Sequence, residues 1–174
     1  MKISTWLRFI ITALALVALQ VLVLNHLDIN EYMFPQVYIL VFIVLPVNTS
    51  HWPSYLFAFL VGALVDSFTY TPGFNSFACV LLVFIRYAYF KNFVDKELLD
   101  SGVSPSFSNT DSGWTMAYVA IFSFLFHFVL FTLESFTFTN FLGTMLKILM
   151  STSLSILLIL LLLFVFRSKT QDET

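Results

Sequence analysis

The sequence predicts an all-α membrane protein, a bundle of six transmembrane helices forming a single integral membrane domain over residues 1–174. Three observations point there. Hydrophobic residues make up 59% of the 174 positions and charged residues 10%, against roughly 45–50% and 25% in a soluble domain. A soluble globule of this length could not cover so much apolar side chain, because small domains leave a large share of their surface in water. Six apolar stretches approach the roughly 20 residues that a bilayer requires: Leu7–Leu27, Phe34–Val47, Pro53–Tyr70, Phe74–Phe93, Trp114–Phe136 and Phe141–Phe166. None of them alternates with the period of two of a membrane β-strand, and the run Leu157–Val165 has no polar face, which excludes a barrel.

The first stretch follows Lys2 and Arg8, as a secretory signal would. Its apolar run, Phe9–Leu24, is longer than a signal core, and Leu22–His26 lacks a small-x-small cleavage pattern, so a retained span is expected. The second stretch is bounded by Pro35 and Pro46 with ten residues between them. As a helix rising 1.5 Å per residue, those residues cover about half of a 30 Å hydrocarbon core. A complete but tilted or irregular span is expected, with a short or re-entrant helix as the alternative. Between the fourth and fifth stretches, Lys96, Glu97 and Asp100 precede a Ser-, Gly- and Pro-rich run from Ser101 to Gly113. Residues 94–113 therefore form a linker too short to be a domain. The polar tail, residues 168–174, is expected to be disordered.

Orientation follows from the basic residues. Lys2, Arg8, Arg86, Lys91, Lys96, Arg167 and Lys169 fall at one set of span ends, while the opposite connections carry Asp28, Glu31 and Glu134. The positive-inside rule then places both termini in the cytoplasm, with Trp6, Trp52 and Trp114 at the same boundaries as interfacial anchors. A net charge of −2 with scattered Lys and Arg implies no nucleic-acid partner. Cys79 stands alone, so one chain supplies neither a disulfide nor a thiolate cage.

Polar residues inside spans are costly in hydrocarbon and turn toward the bundle interior. Gln20, Asp66, His127, Glu134 and Lys147 fall in the outer half and are expected to form one polar cluster, whereas Arg86 lies in the inner half within snorkelling reach of the cytoplasm. Ser54, Ala58, Gly62 and Asp66 recur at every fourth residue of the third span, and Gly143, Lys147, Ser151 and Ser155 do so on the sixth. Such strips let helices approach closely, with Gly62, Gly143 and Ser151 as packing positions. His127 and Glu134 share a face of the fifth span. Asp66 and Lys147, opposite in sign and similar in depth, are expected to pair. The rival arrangements are Lys147 with Glu134, and Asp66 with His127 or Gln20. Internally satisfied helix packing is the simplest reading, and a ligand or proton pathway the alternative. No catalytic, metal or cofactor site is expected: His26, His51 and His127 lie at different depths, and the five glycines are too dispersed for a phosphate loop.

Phe59-Leu60-Val61-Gly62, Val65-Asp66, Thr71-Pro72-Gly73-Phe74, Ala78-Cys79 and Phe84-Ile85-Arg86, with Gln20-Val21-Leu22, Asn25-His26 and Leu45-Pro46 before them, resemble the MreD family of rod-shape-determining membrane proteins, particularly those of the Bacteroidetes type. In that family an intramembrane Asp follows the Gly by four residues, and a Thr-Pro-Gly turn opens the next span; Asn75 departs from a common histidine. The resemblance implies a noncatalytic inner-membrane subunit of the elongasome, supporting peptidoglycan synthesis and cell shape. It would bind MreC and act indirectly with MreB, RodA and its transpeptidase, with no cofactor. It also implies a fold similar to the substrate-binding subunits of energy-coupling-factor vitamin transporters, which keeps a small-molecule-binding role open. An integral-membrane enzyme acting on lipid-linked substrates is a third reading.

Overall fold

A computed structural model describes residues 3–26, 32–94, 102–135 and 141–171, with the side chains of residues 3–4 and 166–171 excluded. Asp28, Glu31, Lys2, Lys96, Glu97, Asp100, the connection 136–140 and residues 172–174 lie outside the described residues. Within them the chain is all-helical and contains no strand. Helices α1 (Ile3–Leu22), α2 (Leu40–Ile43), α3 (His51–Thr69), α4 (Phe74–Phe93), α5 (Ser112–Glu134) and α6 (Phe141–Gln171) follow in order, with a 3-10 turn at Leu24–His26. Five of them, all but α2, are long and apolar enough to cross a membrane, consistent with a multi-pass membrane protein. α6 continues through Arg167 to Gln171, so most of the segment expected to be a disordered tail is helical.

The distribution of polarity is inverted relative to a soluble protein. Leu7, Ile11, Leu56, Leu60, Leu142, Leu157 and Phe164 are more than half exposed, while Ser54, Asp66, Arg86, His127 and Ser155 are buried. An apolar rind of this extent has no favourable contact with water. Most polar groups inside satisfy one another, as hydrocarbon surroundings favour; Gln36 Oε1, His51 Nε2, Ser123 Oγ and Thr152 Oγ1 are buried without a partner.

Two tight antiparallel hairpins, α3–α4 and α5–α6, make the most extensive helix contacts, and α4 against α5 joins them. α1 runs parallel to α3. Trp6 packs edge-on against Phe57 near both helix starts, with ring centroids 5.7 Å apart, and Val21 and Phe68 near the two helix ends line the same cavity. The end where α1, α3 and α5 begin is termed proximal, and the end where α4 and α6 begin is termed distal.

Because α1 and α3 are parallel, the chain between them must return from the distal to the proximal end, and it does so through the middle of the bundle. The stretch Phe34–Val47, read from the sequence as a second span, is not a transmembrane helix. It is extended through Val37, turns into the single helical turn α2, and ends where Val47 N–H donates to Val103 O at 3.2 Å. Residues 37–43 are all buried. Extended backbone advances about 3.3 Å per residue, twice the helical rise, so the non-helical residues up to Val37 add reach that a continuous helix would lack, and the turns and α2 carry the chain on to Val47. Non-helical backbone is tolerated at membrane depth only where protein surrounds it and meets its hydrogen bonds.

Side chains meet them here. On one edge, Ser151 Oγ accepts from Phe34 N at 2.9 Å and donates to Tyr32 O at 3.2 Å, while Ser155 Oγ accepts from Gln36 N at 2.8 Å. Ser151 and Ser155 are four residues apart on α6, about 6 Å along the axis. That rise matches the two-residue repeat of an extended chain, about 6.6 Å, so the helix presents hydroxyls at the spacing of a neighbouring strand. On the other edge, the Gln20 carboxamide donates to Pro35 O at 2.8 Å and accepts from Val37 N at 2.9 Å. At the proximal end, Tyr118 Oη donates to Ile43 O at 3.3 Å, and Arg86 donates to Leu45 O and, at 2.8 Å, to Tyr118 Oη.

Candidate functional site

Asp66 lies near the end of α3 and is 7% exposed. Its Oδ1 accepts from Asn75 N and Asn75 Nδ2, both at 3.0 Å, and from Thr71 Oγ1; its Oδ2 accepts from Ser76 N at 2.9 Å and Ser76 Oγ at 2.6 Å. The reason is local. α4 starts after Gly73, which sits in the left-handed region at φ 92° and has no side chain with which to cap the helix. The first N–H groups of α4 therefore need an acceptor from elsewhere, and Asp66 provides one with a charge that suits the positive end of the helix dipole. The preceding turn is tight: Tyr70 adopts φ 55° and Thr71 N–H donates to Asp66 O at 3.2 Å. Gly62, one turn before Asp66, makes the approach possible. A Cβ there would lie 2.4 Å from Ser76 Cα.

The expected pairing of Asp66 with Lys147 is not formed. Lys147 Nζ instead meets Glu134 Oε2 at 2.8 Å, with the two side chains 28% and 30% exposed. Its ammonium also stands 4.3 Å from the Phe131 ring centroid and 4.6 Å from that of Phe34. Asp66, anchored to its own hairpin, has five donors and no need of the lysine, whereas Glu134, the last residue of α5, and Lys147, in the second turn of α6, face each other.

The single polar cluster expected from the sequence is divided among separate networks. Gln20 and Ser151 hold the extended segment, and Asp66 caps α4. His127 is wholly buried, with Nδ1 2.8 Å from Ser123 O and Nε2 3.1 Å from Ser155 Oγ. Because a carbonyl only accepts, Nδ1 carries the proton and Nε2 accepts from the serine. Arg86 does not snorkel. It is 5% exposed, and its guanidinium lies 4.8 Å from the Phe90 ring centroid. Gly143 lies half-buried near the start of α6, and Pro72 and Gly73 occupy the α3–α4 turn. Cys79 is buried, 3.9 Å from Tyr38 Oη.

Glu134 and Lys147 border a distal cavity of about 430 Å³, also lined by Val21, Asn25, Phe34, Gln36, Phe68 and Thr71. Gln36 Oε1 is itself sealed from the cavity and has no hydrogen-bond partner. Among the described residues, no three His, Cys, Asp or Glu side chains gather as a metal site. Sequence reasoning overlooked Thr71, Asn75 and Ser76 as partners of Asp66, and Tyr118 as the partner of Arg86. A charged residue one turn before the end of a helix, followed by an uncapped glycine start, was the available signal for the first three. Comparison with known proteins finds no matching family model, no matching curated protein and no matching solved structure.

Proposed function

We propose that this chain is an MreD-type, noncatalytic membrane subunit of the bacterial elongation machinery, which binds MreC and supports peptidoglycan synthesis and cell shape. The observation that carries this reading is the use made of the motif residues. Gly62, Asp66 and Thr71, with Asn75 and Ser76 beyond the turn, bond and pack against one another to fix α3 against α4. That is what a rigid binding scaffold needs. In this reading the extended segment counts as the sixth crossing, and the fold is similar to the substrate-binding subunits of energy-coupling-factor transporters. The inner membrane houses the chain with both termini cytoplasmic, and Arg8 and Lys91 lie near the cytoplasmic face. Affinity purification of the tagged protein from membranes, with identification of what accompanies it, tests the reading: MreC is the expected partner, and its absence overturns the proposal. Topology reporters after Thr174 and within residues 101–113 should both report cytoplasm.

The distal cavity favours a second reading, the ligand-binding subunit of a small-molecule transporter. Under it, purified protein retains a small molecule and does not bring down MreC.

A further inference from the structure

The turn between α3 and α4 holds the one non-glycine residue with positive φ among the described residues, Tyr70, at φ 55° and ψ 33°. The hairpin dictates that conformation. The N–H groups of Tyr70 and Thr71 both return to Asp66 O, a left-handed helix end where glycine or asparagine usually stands, because a Cβ there crowds the backbone. Nothing in the hairpin dictates a tyrosine. Its side chain is 95% exposed, more than any other large hydrophobic residue described, so ring contacts within the chain do not offset the crowding. A strained residue that its own fold does not reward points to a contact outside the chain.

The geometry of α3 identifies that contact. Trp52, 84% exposed, stands at the start of the helix as Tyr70 stands at its end. Positions 52 and 70 are 18 residues apart, five turns of helix, so both Cα atoms lie on one side of it and about 27 Å apart along the axis. Between them the same side presents Leu56, Phe59 and Leu60, each more than half exposed, and Ser67, whose hydroxyl donates to Ala63 O at 2.7 Å and is satisfied within the helix. The stripe is apolar over nearly one hydrocarbon thickness, about 30 Å. At each boundary it ends in an aromatic ring with a polar tip, the kind of side chain that favours the headgroup level. Contact with a protein would not call for that spacing.

We propose that the outer stripe of α3 is a lipid-facing surface held in register with the bilayer by Trp52 and Tyr70, with the strained Tyr70 as the distal anchor. The surface it fits is a bilayer with a hydrocarbon layer of about 27 Å. A thicker layer draws a polar tip below the headgroups and a thinner one leaves a ring in water, both unfavourable.

The assignment goes beyond the proposed role and holds whether or not the chain binds MreC, so this experiment and the purification fail separately. The full chain is placed in detergent micelles and in phosphatidylcholine vesicles with monounsaturated acyl chains from myristoleoyl to erucoyl, and Tm is followed. A micelle adapts its thickness to the protein, so only the backbone strain is read there: Tyr70→Gly is expected to raise Tm by about 2 °C, and Tyr70→Trp to leave it unchanged. In vesicles the sign reverses. Wild type and Tyr70→Trp are expected to show a maximum in Tm at the chain length whose hydrocarbon layer is nearest to about 27 Å, whereas Tyr70→Gly falls below wild type at that length and shows no maximum. p-Benzoylphenylalanine placed at position 70 and irradiated in native membranes is expected to form lipid adducts. A flat thickness profile for wild type, a Tyr70→Gly protein no less stable than wild type in the best-matched vesicles, or a protein adduct at position 70 overturns the proposal, and the last would make the strained tyrosine a protein contact instead.

Discussion

Asp66 holds Ser76 twice, by the backbone N–H at 2.9 Å and by the hydroxyl at 2.6 Å, and so caps a helix to which it does not belong. The bond unites two spans through a charge whose partners are neutral donors. Removing the carboxylate exposes several donors at once. Hydrogen bonds to charged groups contribute about 1.5–3 kcal/mol each. Asp66→Ala is therefore predicted to lower stability by at least about 3 kcal/mol, and Asp66→Asn by less, because the amide oxygen still accepts on one side. Thermal unfolding in detergent, scored by the fraction remaining monodisperse, checks the order; equal Tm values for wild type and Asp66→Ala would refute the capping role.

Lys147 and Glu134 give the complementary charge test. The double exchange Glu134→Lys with Lys147→Glu should retain most of the stability that Lys147→Ala loses, itself about 1 kcal/mol or less for a partly exposed pair. Exchange of Asp66 with Lys147 should restore nothing, because those two residues do not meet and a lysine at position 66 would confront the donors of Asn75 and Ser76. Recovery by the second exchange and not the first would reverse the assignment.

These two cases show what could be read from the sequence. Charge sign and estimated depth put Asp66 and Lys147 together, whereas Asp66 bonds Thr71, Asn75 and Ser76 and Lys147 bonds Glu134. Depth along an axis is one-dimensional, and many residues share it. What decided the matter was distance along the chain: Asp66 bonds within ten residues and Lys147 within thirteen. The five long helices were legible because apolar length is a local property. The extended crossing was not, since its hydrogen-bonding partners lie up to 119 residues away, and no local pattern announces them. Its two prolines and its insufficient helical length were the only outward signs.

Gly62 should tolerate no side chain. A Cβ would stand 2.4 Å from Ser76 Cα and 2.8 Å from Asn75 O, both backbone atoms that can move only by parting the two helices. Overpacking typically costs about 1–3 kcal/mol, and Gly62→Ala is predicted at or above the top of that range, with loss of the Asp66 bonds as the helices separate. Crosslinking yield between cysteines placed on the α3 and α4 faces, compared with and without the substitution, measures the separation. Unchanged yield and unchanged Tm would show that the helices repack freely.

The extended segment is gripped on opposite edges by Gln20 and by Ser151 with Ser155, and this arrangement predicts both the size and the coupling of their effects. Gln20→Leu removes the partners of Pro35 O and Val37 N, groups that sit where water cannot replace them. An unsatisfied buried group costs about 1–3 kcal/mol, so a loss of roughly 2–6 kcal/mol is expected. Ser151→Ala with Ser155→Ala removes the side-chain partners of Phe34 N and Gln36 N, and also deprives His127 Nε2 of its donor, for a loss of similar size. If the two edges held the segment independently, the two losses would add. They should not add, because once one edge is released the backbone can shift away from the other, and residues sharing a common element show coupling of about 0.5–3 kcal/mol. The triple variant is therefore predicted to lose less than the sum. Hydrogen exchange supplies a local readout. Amides of residues 36–45 should be strongly protected in the wild type, although none of them lies in a long helix, and Gln20→Leu should accelerate exchange there before it does so in α3 or α5. Rapid exchange of that stretch in the wild type would mean that the segment is not sealed inside the bundle, and the crossing described above would have to be abandoned.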